Sequence, residues 1–181
     1  MPTSSPRSFS QAASPEPVRV YKPAESRGTL WLVGLAAALV GVPVAQYLQG
    51  RTGFGLAAVS LLSGAIAVWL LLLAYWFPTM RYELDRQALT LVFGPIIHWR
   101  IPLREIRQVE LKDLTMSIWA ATRLPGIALF TVYYSNVGLV RMCATRASKR
   151  IVLIRTAKAT YGVTPDEEDE FTHALQARAH G

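Results

Sequence analysis

The most suggestive cluster of side chains in this 181-residue chain is basic: Arg146, Lys149 and Arg150 within CATRASKRIV, followed by Arg155 and Lys158. Three cations in a turn between two strands could hold lipid phosphates, at about 1 kcal/mol per charge beside an anionic surface. The simpler and preferred account is a solvated turn that follows the bias of Lys and Arg toward cytoplasmic faces. Arg100, Arg104 and Arg107 form a second basic set, in which Glu105 and Glu110 are expected to offset part of the charge.

Other chemistry finds little footing. There is no nucleophile elbow, P-loop, dinucleotide fingerprint, paired zinc ligands or EF-hand loop. His98, His173 and His180 are scattered over strand, helix and terminus without metal-ligand spacing. The acidic run Asp166–Glu170 lacks the alternation and central glycine of a calcium loop. It reads instead as the start of a helix, where negative charge meets the positive end of the helix dipole. Cys143, the one cysteine, lies in an apolar strand and reads as a core thiol. The expectation is therefore no enzyme, no catalytic residue, no metal and no cofactor.

Residues 114–134, LTMSIWAATRLPGIALFTVYY, hold the remaining candidates. Arg123 and Pro125 interrupt this stretch, which is too short to span a membrane as one helix. Part of it reads as a strand; Leu114, Met116, Ile118 and Trp119 suit a membrane interface or a partner. Arg123 and Gly126, within TRLPG, are the candidates for a position with a specific task, with a loop-shaping turn as the alternative.

These residues hang on two apolar segments. No residue is charged from Thr29 to Gln49 or from Thr52 to Met80. Spans 30–48 and 54–77 each reach across a hydrocarbon layer of roughly 30 Å. QGRTG, residues 49–53, joins them into an antiparallel hairpin, and Trp31, Tyr47, Tyr75 and Trp76 lie near the ends, where amphipathic rings settle. Arg19, Lys22 and Arg27 before the hairpin, with Arg81 and Arg86 after it, place both termini in the cytoplasm. A cleaved signal peptide is the rival reading, but its apolar core would be too long. Ala57, Ser60, Gly64 and Ala67 line one face of the second helix and are expected to pack on Gly34, Ala38 and Gly41 of the first. Neither span carries an ionisable group, which argues against a transport path. A pI near 9.9 would also suit nucleic acid; beside a membrane the simpler partner is anionic lipid.

Residues 1–28, rich in Pro and Ser, are expected to be a disordered cytoplasmic tail. Beyond the hairpin, period-two alternation marks strands at Met80–Leu84, Leu89–Phe93 and Ile97–Leu103, with Pro102 at an edge. Further strands are expected around Val109, Val140–Ala144, Ile151–Ile154 and Tyr161–Val163. Thr164-Pro165-Asp166-Glu167 predicts a capped helix start, with Thr164 as the cap.

Residues 82–175 resemble the bacterial PH (pleckstrin-homology-like) domains, which are often attached to transmembrane hairpins. The likeness rests on YELDRQALTLVFG, RIPLREIRQVE, TRLPG, LVRMCAT with IVLIRT, and GVTPDEEDEFTHAL. It implies an α+β membrane protein: a two-helix hairpin (29–78), then a PH-like antiparallel sheet or barrel (79–181) capped by a C-terminal helix. PH folds bind lipids, peptides and proteins alike, so the resemblance assigns no ligand. The expected protein is non-enzymatic, multi-pass in a bacterial cytoplasmic (inner) membrane. Its domain docks a membrane protein or assembles with itself; the alternative is a sensor of anionic lipid head groups through a basic hairpin at Arg146, Lys149 and Arg150.

Overall fold

The computed structural model describes residues 18–115 and 127–180. A short strand β1 (Arg19–Tyr21) leads into α1 (Gly28–Leu48) and α2 (Phe54–Trp76), and a 3₁₀ turn at Phe77–Thr79 follows. Strands β2 (Arg81–Leu84), β3 (Ala88–Phe93) and β4 (Ile97–Pro102) come next, then a 3₁₀ turn at Leu103–Glu105. They are followed by β5 (Ile106–Lys112), β6 (Ala128–Tyr134), β7 (Gly138–Ala144), β8 (Ile151–Thr156), β9 (Thr160–Val163) and the closing helix α3 (Glu168–His180).

Helices α1 and α2 are uncharged and long enough to cross a membrane. Because both are apolar all round, the sequence alone could not choose which stripe faces inward. The seam is formed by Leu32, Ala36 and Pro43 against Ser63, Ala67, Leu70 and Ala74. The expected glycine contacts are not part of it: a Cβ on Gly34, Gly41 or Gly64 would meet nothing within 4 Å.

The strands make two open sheets, in the orders β1-β2-β3-β4 and β5-β8-β9-β7-β6. All pairs are antiparallel except β7 and β9, which run parallel. Alternation produces the core as expected: Tyr82, Leu84, Leu89, Leu91, Phe93, Ile97 and Ile101 are buried. They meet Cys143, Val152, Ile154 and Val163 of the second sheet and Phe171 and Leu175 of α3 in one cluster. That cluster continues through Met80 and Phe77 into the helix seam. Pro102 sits on β4, an edge strand, where its missing N–H costs no ladder bond. A second cluster, with Val140, Met142, Ile151 and Leu153, fills the other face of the second sheet.

Three expectations are corrected. The tail does not run unstructured to residue 28. β1 pairs with β2 in the register Tyr21↔Tyr82, and the Tyr21 ring meets Phe171 edge-on at 5.1 Å. Ala24 N–H donates to the Thr164 carbonyl (2.8 Å), and Asp166 N–H donates to that of Lys22 (3.0 Å). A strand of three residues within a Pro/Ser-rich segment can persist because its partners already exist in a folded domain some sixty positions on in the chain. Second, residues 145–150 do not close a hairpin, because β9 lies between β7 and β8. Third, Thr164 does not cap α3. Its Oγ1 accepts the Thr145 N–H (2.8 Å), and the helix starts with the Glu167 carbonyl taking the Phe171 N–H (3.0 Å).

Candidate functional site

The domain is fastened to the helix pair at two places. One is β1, joined to α1 by the six residues 22–27. The other is the end of α2. Gly94, with φ +48°, turns the chain from β3 to β4 against the Trp76 side chain, so close that a Cβ there would lie 2.8 Å from the Trp76 Cγ. Gly94 N–H donates to Thr79 Oγ1 (2.8 Å), and that hydroxyl donates to the Trp76 carbonyl (2.6 Å). The helices and domain therefore share a core as well as a linker.

The basic cluster is reached from three directions. Arg146 and Arg150 lie in the β7–β8 connection, and Glu168 opens α3. Arg146 Nη1 donates to Glu168 Oε1 (2.7 Å) and Arg150 Nε donates to Oε2 (2.5 Å). The carboxylate is buried while the two arginine side chains are 41% and 58% exposed, so water still reaches the guanidinium groups. Asp113, at the end of β5, takes the Arg150 N–H (2.8 Å) and steadies its left-handed φ of 51°. Hydrogen bonding to Glu168, then its negative charge, holds the Arg150 proton more tightly than usual. Of the three sequence candidates here only Lys149 is left fully outside this clasp. Glu168 had been legible as a helix-start acid; nothing local in the sequence marked it as the acceptor for two arginines. Glu168→Gln is expected to lower stability by about 1–2 kcal/mol, since charge-assisted bonds give way to neutral ones at a half-wetted site. The same substitution releases two cations, so binding to anionic vesicles should rise; unchanged vesicle binding would mean the turn cannot face lipid at all.

The second basic set is also rearranged. Glu105 accepts from Lys158 (3.4 Å) and Glu110 from Arg155 (2.8 Å), so both expected counter-charges turn toward β8 and its following loop. Trp119, Arg123 and Gly126 lie outside the described residues.

One surface emerged that the sequence had not singled out. The inner face of the second sheet carries large side chains beyond the cluster it shares with the first. Tyr133 and Leu139 stand opposite each other on β6 and β7, 50% and 66% exposed. Two residues along the same face, Arg141 pairs in register with Tyr161 of β9, its guanidinium carbon 5.7 Å from that ring's centre. The Tyr161 ring in turn meets Trp99 of β4 at 5.9 Å, bridging the two sheets. Period two in TVYY and GLVR was the available signal, but alternation cannot say which of two apolar faces is the more exposed.

Buried groups show no sign of activation. Burial pushes the Cys143 thiol up to about 12. Burial, then the neighbouring Cys143, raises the Tyr82 phenol well above its usual range; its hydroxyl donates to the Cys143 carbonyl (2.7 Å). Among the described residues no three His, Cys, Asp or Glu side chains group closely enough to hold a metal ion.

No curated protein and no solved structure matches the chain. The family described as bacterial PH domain matches residues 80–179, the span from the start of the first sheet's β2 hairpin through almost all of α3. With that match covering more than half of the chain, and the two sheets and closing helix in place behind it, the chain belongs to the bacterial PH domain family.

Proposed function

We propose that this is a non-enzymatic integral membrane protein of a bacterial cytoplasmic membrane, with both termini cytoplasmic, whose PH domain docks another membrane protein. The observation that carries the reading is the line of exposed Leu139, Tyr133 and Arg141, continued by Tyr161 and Trp99, which are half-buried against the core. Tyr, Trp and Arg are the side chains that dominate binding energy in protein interfaces, and here they continue a packed inner face rather than a polar rim. The double fastening to α1 and α2 supports the same reading. A domain held at the bilayer meets membrane partners at high local concentration, so a modest patch suffices. The lipid-sensing alternative loses weight because Arg146 and Arg150 are engaged with Glu168.

Cross-linking in the native membrane, followed by purification of the full-length protein, tests this. A second protein in near-equal amount is the expected result. Leu139→Asp and Tyr133→Asp should each reduce its recovery at least tenfold, because a charge would replace buried apolar contact, while the thermal midpoint stays within a few degrees. Recovery of this chain alone, as monomer or oligomer, would sink the docking of a different protein.

A further inference from the structure

We propose a lipid site within the helix pair: a cleft that takes one acyl chain of an anionic phospholipid from the leaflet remote from the domain. Toward the domain, α1 and α2 close on each other through Leu32, Ala36, Leu70 and Ala74, all buried. Toward the turn at residues 49–53 they flank a cavity of about 410 Å³. Val40, Val44 and Tyr47 line it from α1, and Ala57, Ser60 and Gly64 from α2, at the three- and four-residue spacings of single helix faces. Small side chains open the α2 wall: a Cβ on Gly64 would meet nothing within 4 Å. The serines of that wall are engaged within their own helix. Ser60 donates to the Leu56 carbonyl (2.7 Å), and Ser63 donates to the Ser60 carbonyl (3.2 Å). What remains for an occupant is largely apolar surface, with no charged side chain on it.

Width and charge select the occupant. The cavity runs beside residues 40–47 of one helix and 54–64 of the other, roughly 10–15 Å at helical rise, so its mean section is roughly 27–40 Å². A further helix, about 10 Å across, needs about 80 Å² and cannot enter. A methylene chain, whose carbons contact their neighbours at about 4 Å, fits. A bilayer offers such chains on every side, and an empty gap would forfeit dispersion contact along both walls. The head group is chosen at the mouth. Arg51 is the one charged residue between Thr29 and Met80. It stands next in the chain to Thr52 and Gly53, which line the cavity at the turn. It is exposed, and among the described residues it forms no ion pair. The helix that follows has no acid in its first turn and no side-chain cap, so no carboxylate of that turn offsets the charge. A phosphate-bearing, net negative head group is the complement of such an arginine. The inference rests on the proposed reading of α1 and α2 as membrane spans and does not involve the docking surface.

The test is photolabelling of the full-length protein in neutral-lipid nanodiscs with phosphatidylglycerol that carries a photoreactive group in its acyl chain. Saturable adducts are expected on residues 40–47 and 54–64, and unlabelled phosphatidylglycerol should compete them away. Gly64→Leu fills the cleft and should lower their yield at least fivefold. Its thermal midpoint should hold or rise, because leucine replaces a glycine inside a helix. If that variant does not fold, Ser60→Leu, expected to lower the yield severalfold, carries the comparison. Arg51→Gln should lower the yield severalfold with this probe but less than twofold with a phosphatidylcholine probe of the same chain. Equal wild-type yields from the two probes would overturn the anionic head group. Adducts as frequent at the exposed Leu61 and Leu62 as in the cleft, or yields unmoved by Gly64→Leu, would overturn the site. A dimer of this chain with its cleft free of adducts would hand the cleft to a second copy and overturn the lipid. Release of the protein from native membranes by alkaline carbonate would overturn the membrane spans themselves, whereas a retained protein without saturable adducts overturns the cleft alone.

Discussion

Replacing Phe171 with alanine is expected to destabilise the domain by about 3–5 kcal/mol, the usual range for deleting a buried aromatic ring. The ring is fully buried, and two strands lean on it. Tyr21 of β1 meets it edge-on at 5.1 Å, and Tyr82 of β2 lies 6.1 Å away at a tilt. None of these can collapse freely into the void, because each is also held by its strand ladder. For a domain of this size the thermal midpoint should fall by more than about 10 °C. The effect should also be uneven. β1 is three residues long and depends on Tyr21 for its burial, so hydrogen exchange at residues 19–24 should rise before exchange in β3 or β8. Uniform loss of protection would instead mean that β1 is an integral part of one cooperative unit. A drop below about 1 kcal/mol would contradict the packing described.

The second large effect is expected at Gly94. Valine there would place a β-branched side chain at φ +48°, a conformation costing an L-residue roughly 1–2 kcal/mol. Its Cβ would also stand 2.8 and 2.9 Å from the Trp76 Cγ and Cβ, atoms too near the helix backbone to swing aside. Together these should cost about 3 kcal/mol or more, in the range found for overpacking plus backbone strain. The consequence should be local to the joint: Trp76 moves off the β3–β4 turn, and the Thr79 hydroxyl loses the Gly94 N–H. Spin labels on the domain and on α2 would read this as a broadened distance distribution, with the domain's strand protection largely kept. An unbroadened distribution together with wild-type stability would show that the joint is not what orients the domain.

Both predictions bear on the proposed function. A docking surface is useful only if presented in a defined direction, and Gly94 with β1 controls that direction. Gly94→Val should therefore reduce partner recovery even though it lies outside the exposed line at Tyr133 and Leu139.

The elements themselves were legible because their physics is local. Uncharged runs of about twenty residues are long and apolar enough to form helices of membrane length, and alternation at Met80–Leu84 or Ile97–Ile101 marks a half-buried strand whatever its neighbours. The core thiol at Cys143 and the edge position of Pro102 were readable for the same reason. What failed was whatever depended on a distant partner. The chain from Arg19 to Ala24 has tail-like composition and becomes ordered only against β2 and the residues before α3. Arg146 and Arg150 look like a free basic turn until Glu168 is folded between them. Glu105 and Glu110 appear to neutralise the neighbouring arginines, yet strand pairing turns them to Lys158 and Arg155.

By itself, then, the sequence determined the periodicities: two apolar helices, a set of strands with one wet and one dry face, and an acidic helix start. Tertiary structure alone decided the order of those strands, the insertion of β9 between β7 and β8, and the pairing of Glu168, Glu105 and Glu110 with their cations. The reason is physical. Periodicity is set by side-chain direction along one element, whereas a hydrogen-bond ladder, an ion pair or an uncovered face is set by which elements meet, and that depends on packing the whole core at once.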